Sequence, residues 1–135
     1  GIPWCVIGRG TPLAGIPAGR DFTNQTTLRE TCALLKAASV LVTGDSGPMH
    51  LAGGVGTPVV ALFGPTTATW GFFPAGARDR VLEAALPCRP CTLHGKKNCD
   101  RDHACMRAIR PAAVMAALEA GVLSDKDGFQ EARFR

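Results

Sequence analysis

A chain of 135 residues has room for one domain built on about one hydrophobic core, not for two lobes with a cleft between them. Apolar residues make up 46% and charged residues 19%, a composition that excludes a disordered chain. No apolar run approaches the roughly 20 residues of a membrane-spanning helix, and the opening GIPWCVIGRG lacks the basic flank, apolar core and cleavage site of a secretory leader.

In chain order, Trp4 to Ile7 is a short apolar run ending at Gly8 and predicts a buried strand. The Gly- and Pro-rich stretch from Gly10 to Gly19 predicts a loop. Thr27 and Glu30 then stand in capping-box spacing ahead of a helix expected from Leu28 to Ala38, with Leu28, Cys32 and Leu35 on one face. Cys32 on that face reads as a small core residue.

Val40 to Thr43 is a β-branched run that stops at the turn residues Gly44, Asp45, Ser46 and Gly47. Pro48 opens a second helix and Gly56 closes it, the positional asymmetry expected of helix ends. Val59 to Phe63 is another continuous apolar strand, and Val81 to Leu86 a further candidate. Pro111 to Gly121 bounds the last helix, and the tail from Ser124 to Arg135 is polar. Uninterrupted apolar strands alternating with helices predict an α/β, Rossmann-like parallel sheet covered on both faces.

The first chemical constellation is Asp45-Ser46-Gly47-Pro48-Met49-His50, placed between a strand and a helix. In a parallel sheet the ligand crevice lies at the carboxyl ends of the strands. Free amides at a helix N-terminus attract anions, and Gly47 lets the backbone approach a phosphate oxygen. Ser46 adds a hydroxyl donor and His50, about one turn in, an imidazole N–H. The alternative is structural: Ser46 caps the helix and Asp45 makes a turn.

The second constellation is C-x2-C-x7-C-x5-C from Cys88 to Cys105. Four thiolates suit a closed structural zinc or mononuclear iron site, and no catalytic metal is expected. Two disulfides or free thiols are the alternatives, and His94 or His103 could replace one cysteine. The net charge of +4 includes a basic cluster of Arg89, Lys96, Lys97, Arg101, Arg107 and Arg110, which suits an anionic partner or is simply a solvated face.

The stretch DFTNQTTLRETCALLKAASVLVTGDSGPMHLAGGVGTPVVALFGPT, from Asp21 to Thr66, resembles the C-terminal domain of the glycosyltransferase family 9 enzymes, the ADP-heptose:lipopolysaccharide heptosyltransferases. Its most specific blocks run from Asp45 to Ala52 and from Gly56 to Thr66. Cys88-Arg89-Pro90-Cys91, Cys99 and Cys105-Met106 look like the cysteine-bearing ending of part of that family. Gly53 and Gly54 depart from the family's usual alanines, and residues 1–20 match poorly.

The resemblance implies the C-terminal half of a GT-B fold, with residues 1–123 as a nucleotide-sugar-binding domain truncated at its N-terminal side and 124–135 as a tail. It implies an ADP-sugar donor bound by Thr26, Thr27, Asp45, Ser46, Gly47 and His50. His50 would stabilise the departing phosphate during inverting transfer to a lipopolysaccharide core or related glycan. The acceptor-binding N-terminal domain and its carboxylate base have no counterpart here, so the isolated chain is expected to be inactive, and no catalytic base is nominated. The implied location is cytoplasmic, at the inner face of the membrane, without nucleic acid. The competing expectations are a zinc-ribbon-like nucleic-acid module around the cysteines and a catalytically silent donor-binding remnant.

Overall fold

The computed structural model describes residues 2–91, 93 and 98–123. His94, Lys96, Lys97 and the tail 124–135 lie outside the described residues. Among the described residues five short strands form two ladders, each of them parallel. β1 (Val6–Gly8) pairs with β2 (Asp21–Thr23), while β3 (Leu41–Gly44), β4 (Val59–Phe63) and β5 (Arg80–Glu83) form a second ladder in that order. β4, flanked on both sides, is buried at Val59, Val60, Ala61 and Phe63, which is why its sequence is a continuous apolar run.

Helix α1 (Leu28–Ala37) starts where the sequence places it. Thr27 Oγ1 accepts from the Glu30 amide while Glu30 Oε2 accepts from the Thr27 amide at 2.7 Å, so two otherwise unpaired donors are satisfied together. The Thr27 amide and then its hydroxyl hold the Glu30 carboxyl below its ordinary pKa. Its buried face is Thr31 and Leu35, one turn apart, whereas Leu28 is 73% exposed and Cys32 only half-buried. The expected Leu28–Cys32–Leu35 face is therefore corrected by rotation of the helix: Thr31 is buried because its hydroxyl pairs with that of Thr26 at 2.9 Å.

Helix α2 (Gly47–Val55) carries Pro48 in its first turn and ends at Gly56, whose φ of 81° requires a residue tolerant of the left-handed region. Met49 and Ala52 point inward, joining Leu35, Val59, Ala61 and Phe63 in one core. Thr57 closes the amino side, its buried hydroxyl donating to the Leu35 carbonyl at 2.6 Å. Gly54 has nothing within 4 Å of a built Cβ, so Gly54→Ala should stabilise by about 0.5–1 kcal/mol, readable as a higher melting temperature.

One strand and one α-helix among the described residues were not foreseen. β2 has no apolar run to reveal it, and a short helix α3 (Ala104–Ala108) lies inside the cysteine segment. The last helix, α4 (Pro111–Leu118), packs on β4 and β5 and runs into a π turn, Glu119–Leu123.

Candidate functional site

The Asp45–His50 segment is where the sequence argument puts it: β3 ends at Gly44 and α2 begins at Gly47, so the turn sits on the carboxyl edge of the sheet. Asp45, Ser46, Gly47 and His50 are all exposed. Ser46 does not cap the helix. Its hydroxyl lies 3.1 Å from that of Thr43 and donates back to the Gly44 carbonyl at 3.2 Å, and no side chain caps the first turn of α2. The first turn therefore presents its backbone dipole to solvent, with only the Met49 amide turned back onto the Ser46 carbonyl at 3.0 Å.

His50 lines a cavity of about 410 Å³ that runs along α2 past Gly53 to Gly56 and is closed opposite by the segment from Phe73 to Asp79. Asp45, Ser46 and Gly47 are not part of its lining. Thr26 and Thr27 are both already engaged within the fold. Thr27 spends its hydroxyl on the capping box and Thr26 pairs with Thr31, leaving neither hydroxyl idle. Arg9, which no motif in the sequence singles out, follows β1 at the carboxyl edge and donates from Nη2 to the Thr26 carbonyl at 3.1 Å. Asn24 fixes that turn by two bonds to the Gly10 backbone. Flanking glycines at a strand end were the available signal.

The cysteines form one neighbourhood. Cys88, Cys91, Cys99 and Cys105 all line a cavity of about 260 Å³, together with Pro65 and His103. All six cysteines are free thiols, so neither pair is a disulfide. The Cys91 thiol donates to the Cys88 carbonyl and the His103 amide donates to Cys99 Sγ. Among the described residues, however, no three His, Cys, Asp or Glu side chains converge closely enough to hold a metal. The segment is tied to the sheet, since the Cys91 amide donates to the Pro65 carbonyl and Cys105 Sγ lies against Gly64.

Arg89 corrects the basic-patch expectation. Its side chain is only 7% exposed and is used up internally. Nε donates to the Gly64 carbonyl, Nη1 to that of Ala84, and Nη2 to the carbonyls of Phe63 and Thr66 and to Glu83 Oε2. A planar fork with five N–H groups can fasten the ends of two strands at once. Arg107 is likewise paired, with Asp102. The Thr66 hydroxyl beside this junction is buried without a partner among the described residues.

The family comparison matches residues 17–100 to glycosyltransferase family 9, the heptosyltransferases. The chain belongs to glycosyltransferase family 9. Lipooligosaccharide heptosyltransferase 2 of Campylobacter jejuni (serotype O:2) is 31% identical over 97 residues, covering 71% of this chain and 30% of that protein. Lipopolysaccharide heptosyltransferase 1 of Pseudomonas aeruginosa is 34% identical over 142 residues, covering 91% and 39%. This family 9 chain thus spans about a third of the length of those relatives. The crystal structure of the dodecameric iron-containing heptosyltransferase TibC, in complex with ADP-D-β-D-heptose, superposes with a TM-score of 0.70 at 24% identity, covering 93% of this chain and 38% of that one. That likeness establishes the fold, the Rossmann-like C-terminal half of the GT-B architecture.

Proposed function

We propose that this family 9 domain binds the diphosphate of an ADP-activated heptose at the Asp45–His50 turn and serves as the donor half of an inverting heptosyltransferase. The observation that carries the reading is the uncapped first turn of α2 on the carboxyl edge of the sheet, where Ser46 bonds back to Gly44 instead of consuming a helix amide. The Gly47 amide and the His50 imidazole would meet the phosphate oxygens, and Asp45 would accept hydrogen bonds from sugar hydroxyls. Thr26 and Thr27 serve the nucleoside side through their methyl groups and the Thr26 backbone, with Arg9 as a nearby cation. Donors already aimed at the departing phosphate would stabilise charge as it develops, without reorganisation.

The acceptor, a lipopolysaccharide core or related glycan, and the base that deprotonates it belong on this reading to the N-terminal domain of a complete enzyme. Residues 1–123 alone would bind donor and not turn over, at the cytoplasmic face of the membrane. Calorimetric titration with ADP, ADP-heptose and a UDP-sugar tests the reading: saturable binding of the two adenine ligands and none of the UDP-sugar is expected, and equal or absent binding of all three would overturn it.

The four cysteines are proposed to take one structural zinc or iron ion. Their chemistry fits, because four soft thiols line one cavity over the end of β4, and the TibC relative is described as iron-containing. A bound ion would draw the four sulfurs together and supply order that this segment's sparse apolar packing does not. Metal analysis with a thiol titration should give one ion per chain and only Cys5 and Cys32 reacting before chelation. Four further freely reacting thiols and no metal would remove the site.

A further inference from the structure

We propose, on the reading that the four cysteines take one metal ion, that His103 serves that site through its backbone: its amide is a preset hydrogen-bond donor to the Cys99 thiolate, and its imidazole is not a ligand. Asp102 and His103 carry φ of 46° and 52°, two successive non-glycine residues in the left-handed region. Both are types that tolerate this region better than most, but singly rather than in succession. Such a conformation costs an L-residue energy and persists only where the surroundings hold it.

The turn is held from both sides. The Asp102 amide donates to the Cys99 carbonyl at 3.3 Å and the Ala104 amide to that of Arg101 at 2.9 Å. The His103 carbonyl accepts from the Met106 and Arg107 amides at 2.9 and 3.1 Å, and the Asp102 carboxylate pairs with Arg107. What the left-handed pair achieves is one contact: the His103 N–H points at Cys99 Sγ, with nitrogen and sulfur 3.3 Å apart. Helix capping does not account for it, because His103 precedes α3 without any side-chain cap bond.

A neutral thiol is a weak acceptor and returns little for two strained residues. A metal-bound thiolate accepts an N–H much more strongly, since the bond is then charge-assisted. The turn is therefore matched to the charged sulfur rather than to the thiol. Cys99 is also set apart from its neighbours. The Cys91 thiol is itself a donor, to the Cys88 carbonyl at 3.1 Å, and Cys105 is buried against Gly64, so among the described residues Cys99 alone of the four accepts an N–H at sulfur. His103 is exposed, whereas Cys105 is buried and Cys88, Cys91 and Cys99 are half-buried, so the cysteines form the sheltered part of the cavity lining. His103 is on this account a positioning residue that acts through Cys99.

Titration of the 135-residue chain with Co²⁺, followed by the sulfur-to-metal charge-transfer band, tests this without any nucleotide. His103→Gly and His103→Asn keep the amide and the left-handed backbone, so both should bind Co²⁺ within about 3-fold of the wild type with the band unmoved. His103→Val opposes that backbone. It should weaken binding about 10–100-fold, the usual effect of losing an outer-shell partner, and move the band to lower energy. An ester in place of the amide between Asp102 and His103, introduced by ligation at Cys99, deletes the N–H and keeps the imidazole. It should match the valine variant in affinity and band, while the metal-free chain melts within about 2 °C of the wild type. Loss of affinity in the glycine and asparagine variants would make the imidazole a ligand and overturn the proposal, as would an ester that binds Co²⁺ like the wild type. Both of those outcomes leave the metal site standing, whereas a wild-type chain that takes up no Co²⁺ removes the site and the role of His103 together.

Discussion

Replacing Arg89 with methionine is expected to destabilise the domain by about 3–5 kcal/mol, the range seen when one partner of a buried charged network is removed. For a chain of this length that corresponds to a fall of roughly 10–20 °C in melting temperature, measured by calorimetry or circular dichroism. The loss comes less from the ion pair with Glu83, whose side chain is 35% exposed, than from the carbonyls of Phe63, Gly64, Thr66 and Ala84 left without a donor. Methionine restores stem volume but no hydrogen bonds. Lysine should recover only part of the loss, because a single ammonium cannot reach carbonyls on both sides of the fork. Glu83→Gln should cost about 1 kcal/mol or less, since it removes the one partly exposed member. A methionine variant that melts within 2–3 °C of the wild type would show that these bonds are not what closes the strand ends.

Arg89 also shows where reading from sequence stops. Its position beside Cys88 and Pro90 and near other cations makes it one of a basic cluster, and nothing in the local pattern reveals that four carbonyls from the ends of β4 and β5 surround it. Long-range backbone acceptors leave no trace in residue spacing. The same limit explains β2, whose three residues carry no periodicity and gain their strand character from pairing with β1. It also explains α1, where a threonine displaced Cys32 from the buried face through a hydroxyl pair with Thr26.

What was legible is what local chemistry dictates. The Thr27–Glu30 box, the β4 run, the Pro48 and Gly56 limits of α2 and the β3–α2 turn all follow from neighbours within a few residues, and each is where the sequence puts it. Ser46 is the instructive intermediate case. Its position at the N-cap is legible, whereas the choice of its hydroxyl for Gly44 and Thr43 over a helix amide depends on the strand geometry behind it. That choice distinguishes a capped helix end from one that presents its amides to a ligand.

His50→Ala is expected to weaken ADP binding by about 10–100-fold, the effect of one hydrogen bond to a charged group, with a melting temperature within about 2 °C of the wild type. The separation of the two readouts follows from the site. His50 is exposed on the first turns of α2, and its imidazole makes no hydrogen bond to the described residues, so truncation removes nothing the core depends on. Alanine has the better helix propensity, which offsets any lost contact with the cavity wall. A bond to the terminal phosphate should be lost for ADP and ADP-heptose alike, while adenosine, lacking phosphate, should bind the two forms equally. Loss of adenosine affinity would instead place His50 at the nucleoside, and unchanged ADP affinity would remove it from the site. Ser46→Ala separates the turn from the ligand in the same way. If the Ser46 hydroxyl only braces Gly44, its removal should lower ADP affinity by less than about 10-fold, less than the loss at His50.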